Sequence, residues 1–238
     1  MPVEHAAAAV KTAMSDWALS TSDGELVSAL SSQGATELRR AYVLSRALSG
    51  PAGNDGGAVP RVQPGGQPQA RSIGGDGVSI QPLSAAQLDA SAELLAEIHL
   101  RAYPAHHPDS GHSSAASVAA ELRAMARGEI LGPLLPQSRI AVAGDEIAGA
   151  CLLVDRPGVA PRGGPWVVDL FRDPIVAVPG VGRALLFAVL AAAESAGLPS
   201  ISLAVSHSNL RARQLYADAG FSAESPSSQS WTLALPPA

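Results

Sequence analysis

Residues 51–77 place the strongest constraint on how this chain can fold. The segment reads PAGNDGGAVPRVQPGGQPQARSIGGDG and keeps no apolar period. Because Gly, Pro and Gln dominate it, the composition predicts a flexible linker. The linker separates a short N-terminal piece, residues 1–50, from a C-terminal domain over residues 78–238. Only the second is long enough to bury a substantial core by itself.

Composition excludes several classes of protein. A net charge of −5 and an aromatic content of 4% argue against a nucleic-acid binder, which needs clustered cations and stacking rings. The single cysteine, Cys151, permits neither a disulfide framework nor a cysteine-based zinc cage. The most apolar run, residues 184–193, is too short to span a bilayer. Residues 1–17 lack the basic start of a signal peptide. We therefore expect a cytoplasmic protein that binds neither nucleic acid nor membrane.

The N-terminal piece is predicted to be helical. Apolar residues recur at helical spacing in two segments, one from Val10 to Trp17 and one from Leu38 to Leu48, and Gly24 and Gly34 interrupt the pattern. Helices of this size bury too little surface to be stable alone. We expect them to dock on the C-terminal domain, on a second copy of the chain in a homodimer, or on another protein.

The C-terminal domain alternates between strand and helix patterns. Its predicted strands are 78–80, 139–143, 147–154, 166–172, 201–205 and 231–235, and its predicted helices are 84–101, 114–127, 180–196 and 208–219. The near-continuous apolar run at 201–205 is typical of a strand covered on both faces. The order predicts an α/β fold with a mixed sheet.

A glycine-containing loop leads into the most apolar helix. It runs Pro174-Ile-Val-Ala-Val-Pro-Gly-Val-Gly182 and continues directly into Arg183. A Gly-x-Gly at a helix N-terminus offers unpaired N–H groups and the positive end of the helix dipole, which suit a pyrophosphate. The alternative is a tight turn into a packed helix. The loop is neither a dinucleotide fingerprint nor a P-loop, because no third glycine and no Gly-Lys-Ser/Thr follow.

A second motif narrows the interpretation. Residues 208–221 read Ser-Asn-Leu-Arg-Ala-Arg-Gln-Leu-Tyr-Ala-Asp-Ala-Gly-Phe, which closely resembles Asn-x-x-Ala-x-x-Leu-Tyr-x-x-x-Gly-Phe, motif B of the GNAT acetyltransferase superfamily. The stretch 169–174 resembles the strand before that family's acetyl-CoA loop, and 144–149 resembles its second hairpin. The resemblance covers residues 78–235 and implies a mixed, mostly antiparallel central sheet flanked by helices.

The resemblance also implies a site for acetyl-CoA. The strand residues Leu170, Phe171 and Arg172 would pair with the pantetheine arm. The pyrophosphate would lie on the loop, where the implied contacts are Val178, Gly180, Val181, Gly182 and Arg183. Asn209 would hold the cofactor arm, and Tyr216 would protonate the leaving thiolate. The alternatives from the residues alone are a helix-start role for Asn209 and a packed-ring role for Tyr216.

The loop departs from the family pattern Arg/Gln-Gly-x-Gly-x-Gly. In register from Pro174, Ala177 replaces the charged residue, Val178 replaces the first glycine, and Pro179 carries no N–H. Backbone donors remain at 178, 180, 181 and 182. Acyl-CoA binding is therefore expected to be weakened.

Further polar residues are candidates for handling the acceptor. Asp169 lies on the strand where the acceptor would approach. It is interpreted as a base or an amine-recognition group, or alternatively as a solvated or hydrogen-bonded strand carboxylate. The loop 103–112, with His99 before it, holds several histidines and Asp109, but their spacing matches no known metal site. By resemblance this loop would line the acceptor pocket and could supply a proton-accepting histidine. The alternative is a solvated polar loop. Cys151, on an apolar strand, is interpreted as a small core residue.

These observations predict an N-acetyltransferase. Acetyl-CoA would be the acyl donor, a primary amine of a small molecule or protein the acceptor, and the reaction a direct attack in a ternary complex without a metal. The alternative is a catalytically degenerate acyl-CoA-binding or interaction module, in which the altered loop marks lost turnover. A third interpretation makes the chain mainly an assembly component acting through residues 1–50.

Overall fold

The computed structural model describes residues 3–4, 7, 18–49, 71–73, 77–111, 114–223 and 229–235. The strands are β1 (Ala18–Thr21), β2 (Thr36–Ala47), β3 (Arg71–Ile73), β4 (Val78–Pro82), β5 (Arg139–Ala143), β6 (Glu146–Arg156), β7 (Gly164–Arg172), β8 (Ser200–Ser206) and β9 (Gln229–Ala234). The helices are α1 (Gly24–Ser32), α2 (Ala85–Ala90), α3 (Ala92–Ala102), α4 (Ala115–Ala126), α5 (Val181–Ser195) and α6 (Leu210–Asp218).

The chain forms two compact units. The larger unit comprises residues 46–203, and the smaller unit comprises residues 1–45 together with 204–238. The sequence predicted a boundary near residue 78 and one domain from there to the end. The division differs because β9 pairs with β1 and β2, so that Ala234 lies opposite both Ala18 and Thr36.

The larger unit is built on a mostly antiparallel sheet. Its strands follow the order β7-β6-β5-β4-β3, and each neighbouring pair is antiparallel. Seven consecutive residues of β6, 148–154, are buried. Because successive strand residues point to opposite faces, both faces of β6 are covered, and α3 and α5 pack on it. The mixed α/β fold class predicted from the sequence is confirmed.

Local signals set most elements of this unit. Ser84 forms a capping box with Gln87 and starts α2, and Ser114 caps α4. Gly144, with a positive φ of 60°, turns the hairpin between β5 and β6. The predicted strands and helices of residues 78–205 are therefore present, with ends moved by a few residues. The exception is the predicted helix 84–101, which the structure divides at Ser91 into α2 and α3.

A β-bulge interrupts β7 beside the predicted site. Leu152 lies opposite Asp169, but Leu153 lies opposite Val167, which leaves Val168 as an extra residue. The parallel pairing with β8 covers only Trp166 and Val167. Bulges bend a strand and increase its twist. The bulge therefore coincides with the point where β7 stops pairing with β8 among the described strands.

The smaller unit contains a three-stranded sheet with the order β1-β9-β2. Helix α1, capped by Asp23, packs Leu30 against Leu233 and Leu235 in a small apolar core. Asn209 caps α6, rather than Ser208 as the sequence predicted, since its side chain accepts from the Ala212 amide.

The predicted helix from Leu38 to Leu48 is wrong. Residues 36–47 form the strand β2, in which Ala41, Val43 and Ser45 are buried at a spacing of two, while Leu38 is 60% exposed. Pairing with β9 and burial of these small side chains outweigh the spacing of the large ones. The other predicted N-terminal helix, from Val10 to Trp17, lies outside the described residues.

The predicted linker also needs a correction at its C-terminal end. Residues 71–73 form β3, with Arg71 opposite Ile80 and Ile73 opposite Val78. The ladder of β4 gives these residues hydrogen-bond partners that composition does not reveal. Residues 51–70 lie outside the described part of the chain. No helix within the described part is both long and apolar enough to cross a membrane.

Candidate active site

The loop before α5 presents two glycines for different reasons. Gly180 caps the helix with a φ of 96°, a conformation that side chains disfavour. Gly182 has an ordinary helical conformation, and a Cβ added there would meet no neighbouring atom within 4 Å. Neither backbone conformation nor internal packing requires a glycine at 182. Its missing side chain instead leaves room for an outside group to approach the backbone.

The loop amides are available as donors. The Val181 amide donates weakly to the carbonyl of Val178, at 3.4 Å, so one of the donors counted from the sequence is used internally. Within the described residues, the N–H groups of Val178, Gly180 and Gly182 make no hydrogen bond. They lie at the positive end of α5. Arg183 is exposed, with its guanidinium carbon 4.8 Å from the centre of the Phe187 ring.

A buried carboxylate organises the start of this loop. Asp173 is 1% exposed, and it accepts from the Ile175 amide at 2.8 Å and from the Arg101 guanidinium at 2.6 Å. Burial alone raises the pKa of Asp173, but the hydrogen bonds from Arg101 and the loop amides outweigh it, so its pKa is lowered. Its carbonyl accepts from the amide of Ala177, which is itself buried.

A second carboxylate, Asp169, is the centre of a polar cluster on β7. Its Oδ1 accepts from the Tyr103 hydroxyl at 2.8 Å, and its Oδ2 lies 3.1 Å from His99 Nε2. The Tyr103 hydroxyl also lies 3.0 Å from the Leu170 carbonyl oxygen. The Asp169 and His99 side chains are 16% and 20% exposed. The cluster is therefore largely shielded from water but keeps some exposure.

Helix α3 positions both carboxylates. Its buried residues Leu95 and Ile98 belong to the core, and α3 packs on β6 and β7. The three residues His99, Arg101 and Tyr103, at its C-terminal end, reach across to Asp169 and Asp173. Residues four apart share a helix face, which explains why His99 and Tyr103 meet the same carboxylate.

The rings of this region contact one another in tilted and edge-to-face arrangements. The His99 ring lies 4.6 Å from Tyr103 and 5.5 Å from Phe171, and Tyr103 lies 4.8 Å from His107. Burial lowers the pKa of His107, whose Nδ1 accepts from the Asp109 amide. His107 is therefore a neutral acceptor in the loop.

The predicted residues of the smaller unit have local roles. The Asn209 side chain caps α6 by accepting from the Ala212 amide at 3.0 Å. Tyr216 is 8% exposed, and its ring lies 5.8 Å from the Phe221 ring in an edge-to-face arrangement. Helix capping by Asn209 and ring packing of Tyr216 are thus both present in the structure.

A family model shows which protein family the chain belongs to. The model described as "Acetyltransferase (GNAT) family" matches residues 93–221, more than half of the chain. This chain belongs to the GNAT acetyltransferase family. The match begins in α3 and ends beyond α6, so the cluster around Asp169, the glycine loop and motif B all lie inside it.

A solved structure agrees on the fold, and a second is similar to the chain. A GCN5-related N-acetyltransferase from Sphaerobacter thermophilus aligns with a TM-score of 0.54 and 17% identity, over 93% of this chain and 60% of that one. Another from Kribbella flavida aligns with a TM-score of 0.47 and 14% identity, over 90% and 65%. The chain thus spans less than two thirds of either protein. No curated protein shows significant sequence similarity to the chain.

The structure groups the predicted GNAT site residues by unit. Asp169, Leu170, Phe171 and Arg172 on β7 and the loop residues 178–183 all belong to the larger unit, whereas Asn209 and Tyr216 belong to the smaller one. The Arg172 guanidinium lies 3.5 Å from the Ala177 carbonyl oxygen, at the limit of a hydrogen bond.

Sequence reasoning missed Tyr103 and Arg101. A tyrosine four residues after a histidine, followed 66 and 70 positions later by two aspartates four apart, was the only available signal. This spacing does not show which of these side chains contact one another.

Among the described residues no group of three or more His, Cys, Asp or Glu side chains could hold a metal ion, and His112 lies outside the described residues. Cys151 is buried, and burial, with the nearby Asp169 charge, raises the pKa of its thiol.

Proposed function

We propose that this GNAT protein transfers an acetyl group from acetyl-CoA to a primary amine by direct attack within a ternary complex. Membership of the family implies acyltransferase activity. The observation that carries the finer proposal is the loop before α5. The amides of Val178, Gly180 and Gly182 make no hydrogen bond within the described residues, and internal packing does not require a glycine at position 182. This donor set matches a pyrophosphate.

The remaining contacts to acetyl-CoA follow from the same strand and loop. Leu170, Phe171 and Arg172 would receive the pantetheine arm, a role supported by the end of β-pairing with β8 at Val167. Val181 would contribute through its place at the helix start, and Arg183 would supply charge. Asn209 is proposed to hold the arm on the strength of the motif that it begins.

The proposed chemistry needs a proton acceptor and a proton donor. The amine nitrogen attacks the acetyl carbonyl carbon, the carbon–sulfur bond breaks, and the electron pair goes to sulfur. Asp169 takes the proton that the amine loses, and Tyr216 protonates the thiolate. The geometry of Asp169, a carboxylate that two neighbours hold and that is still partly exposed, supports the first role. The motif around Tyr216 supports the second.

The proposed partners are few. The reaction requires an acceptor that bears an amine, either a small molecule or a protein side chain. The second proposed partner is another copy of the chain, in a homodimer. A thioester is already an activated acyl donor, so the proposed reaction uses no metal. The acidic net charge of −5 disfavours nucleic acid, and we keep the cytoplasm as the proposed location.

The test measures acetyl-CoA binding by calorimetry and CoA release with a panel of primary amines. We expect Gly182→Ala to weaken binding about tenfold, because the added Cβ enters the space left for the ligand. Gly24→Ala is the matched control. It also lies in the first turn of a helix, and its Cβ would make only an ordinary contact with Trp231 at 3.8 Å. Equal binding by both variants would contradict the proposed loop site.

The second candidate function is a non-catalytic acyl-CoA-binding module. Pro179 withholds an amide, and Ala177 and Val178 replace a charge and a glycine of the family loop, which favours weakened binding. The module would bind acetyl-CoA but release no CoA with any amine of the panel. Release with at least one amine rejects it.

A further inference from the structure

Strand β2 is hydrogen-bonded to the residues on either side of motif B, within the smaller unit. Before the motif, the His207 amide donates to the Arg40 carbonyl at 2.8 Å. After the motif, Ser222 and Ser45 exchange two backbone hydrogen bonds, each of 2.9 Å. Arg40 and Ser45 are about 17 Å apart along an extended strand, and the nine residues of α6 span about 14 Å. One strand therefore reaches along the whole length of α6.

Side chains strengthen the contact before the motif. The Tyr42 hydroxyl lies 2.8 Å from His207 Nδ1, within hydrogen-bond distance. The Arg213 guanidinium carbon lies 4.8 Å from the centre of the Tyr42 ring, and Arg213 Nη1 donates to the His207 carbonyl at 3.0 Å. Each of these three residues, the Tyr42 cluster, thus contacts the other two. They come from β2, from the turn before α6 and from α6 itself, so the cluster joins the strand to the helix.

The same turn leads to Asn209. Arg39 Nε donates at 3.0 Å to the hydroxyl of Ser206, a residue that is 1% exposed. The Asn209 amide donates to the Ser206 carbonyl, and the Arg213 amide donates to the Asn209 carbonyl, both at 3.0 Å. Asn209 therefore lies between two residues, Ser206 and Arg213, that side chains of β2 contact directly.

The Tyr42 cluster is separate from the apolar core of the smaller unit. That core contains Ala7, Leu30, Leu233 and Leu235, whereas His207 is exposed and Tyr42 is half-buried. A hydrogen bond between groups that reach solvent adds little to the free energy of unfolding, because water replaces a lost partner. The Tyr42 hydroxyl can therefore fix the turn before Asn209 without being required for folding.

We propose that β2 positions motif B for acetyl-CoA, with Tyr42 as a positioning residue that acts through the turn before Asn209. This inference rests on the proposed function, in which Asn209 holds the cofactor arm. Tyr42 touches no reacting atom. It restricts the turn to one arrangement, so that less freedom is lost when the arm binds. The N-terminal piece, through residues 36–45, thereby takes part in binding the acyl donor.

Calorimetry with acetyl-CoA and steady-state kinetics on the full chain, with an amine that the panel identifies, test this role. Tyr42→Phe keeps the ring beneath Arg213 and removes only the hydroxyl. We expect Kd and KM for acetyl-CoA to rise about threefold, as for one lost neutral hydrogen bond. We expect kcat to stay within about twofold of the wild-type value, because the groups that move protons are unchanged.

Variants of His207 show whether the effect passes through this bond. His207→Leu should raise Kd as much as Tyr42→Phe, and the double variant should bind no more weakly than either single variant, because both remove the same contact. His207→Asn places an amide near the position of Nδ1 and should restore wild-type binding.

Ser20→Ala is the matched control. Ser20 Oγ lies 3.1 Å from Thr232 Oγ1, so this variant also removes an exposed side-chain hydrogen bond from the same sheet, but between β1 and β9. We expect it to bind acetyl-CoA as the wild type does. An unchanged Kd for Tyr42→Phe, an equal rise for Ser20→Ala, or additive effects of Tyr42→Phe and His207→Leu would overturn the positioning role while acyl transfer stands.

A second measurement does not depend on activity. At saturating acetyl-CoA the amide resonance of Gly182 should shift equally in wild type and Tyr42→Phe, whereas the shift of Asn209 should be smaller in the variant. A full Asn209 shift in the variant would overturn the proposal. Absence of both shifts in the wild type, with no CoA release from any amine, would instead overturn the proposed function. Thermal unfolding identifies a variant that fails to fold, in which case His207→Asn and the Asn209 shift decide.

Discussion

The cluster around Asp169 and the loop before α5 are consecutive in sequence but use opposite strategies. Around Asp169 the polar groups are side chains that hydrogen-bond one another, with Tyr103 and His99 engaged on one carboxylate. In the loop the polar groups are backbone amides, and those of Val178, Gly180 and Gly182 stay unbonded within the described chain. The proposed proton acceptor thus has its hydrogen-bond partners in place, whereas the proposed anion site has donors left over.

Asp173 separates the two regions and explains how they coexist. Its carboxylate accepts hydrogen bonds from the Ile175 amide and the Arg101 guanidinium. These bonds hold the first turn of the loop and leave the amides of Val178, Gly180 and Gly182 unbonded. The C-terminal end of helix α3 therefore supports both regions, through His99 and Tyr103 at Asp169 and through Arg101 at Asp173.

The largest expected effect separates catalysis from binding. Asp169→Asn keeps the shape of the side chain but removes the proton acceptor, so we expect turnover to fall by about 10² or more with acetyl-CoA affinity unchanged. Steady-state kinetics and calorimetry measure the two quantities. Asp145→Asn, in the exposed β5–β6 turn, is the control. A loss of affinity equal to the loss of turnover would mean that the two regions do not act separately.

The next effect concerns the support that both regions share. Arg101→Leu leaves Asp173 buried without its cation, and we expect a loss of about 2 kcal/mol in unfolding free energy, less than for a fully buried pair because Arg101 is 35% exposed. Denaturant unfolding measures it. No loss at pH 7 would show that Arg101 does not support the loop.

The same variant predicts a pH dependence. Because the folded-state pKa of Asp173 is lowered, the stabilisation is fully present above the carboxyl's unfolded pKa of about 3.9 and is lost as the pH falls towards the folded value. The stability difference between wild type and Arg101→Leu should therefore shrink below about pH 4. A difference that stays constant down to pH 3 would contradict the assigned pair.

A smaller effect tests the glycine without a packing role. Gly182→Ala should leave the unfolding free energy unchanged or raise it by up to about 1 kcal/mol, because alanine favours the helix, while acetyl-CoA affinity falls. Thermal unfolding alongside calorimetry checks both. A destabilised variant would indicate an internal reason for the glycine that the open space at 182 does not reveal.

The smallest effect concerns the departure from the family loop. Val178 has no positive φ, so Val178→Gly adds freedom rather than relieving strain, and we expect acetyl-CoA to bind about threefold more tightly. Ala177 is buried, which means that the charge found at this position in the family pattern has no room here without a shift of the loop. If calorimetry shows no gain in acetyl-CoA affinity for Val178→Gly, the expected weakening of binding would be assigned to Pro179 instead.

Local patterns predicted the larger unit well. Ser84, Ser114 and Gly180 indicate the starts of α2, α4 and α5, because a capping position or a positive φ restricts which residue types are allowed there. They failed at residues 36–47, where the strand depends on β9 nearly two hundred residues later. Short-range spacing holds no information about a partner that far along the chain.

The sequence by itself determined the α/β class, the glycine loop and motif B, because backbone conformation and helix start signals act over a few residues. Only the tertiary structure decided that Tyr103 and His99 share the carboxylate of Asp169 and that Arg101 holds Asp173. Side-chain hydrogen bonds depend on distances of about 3 Å, and the packing of α3 against β7 sets those distances, which no spacing along the chain encodes.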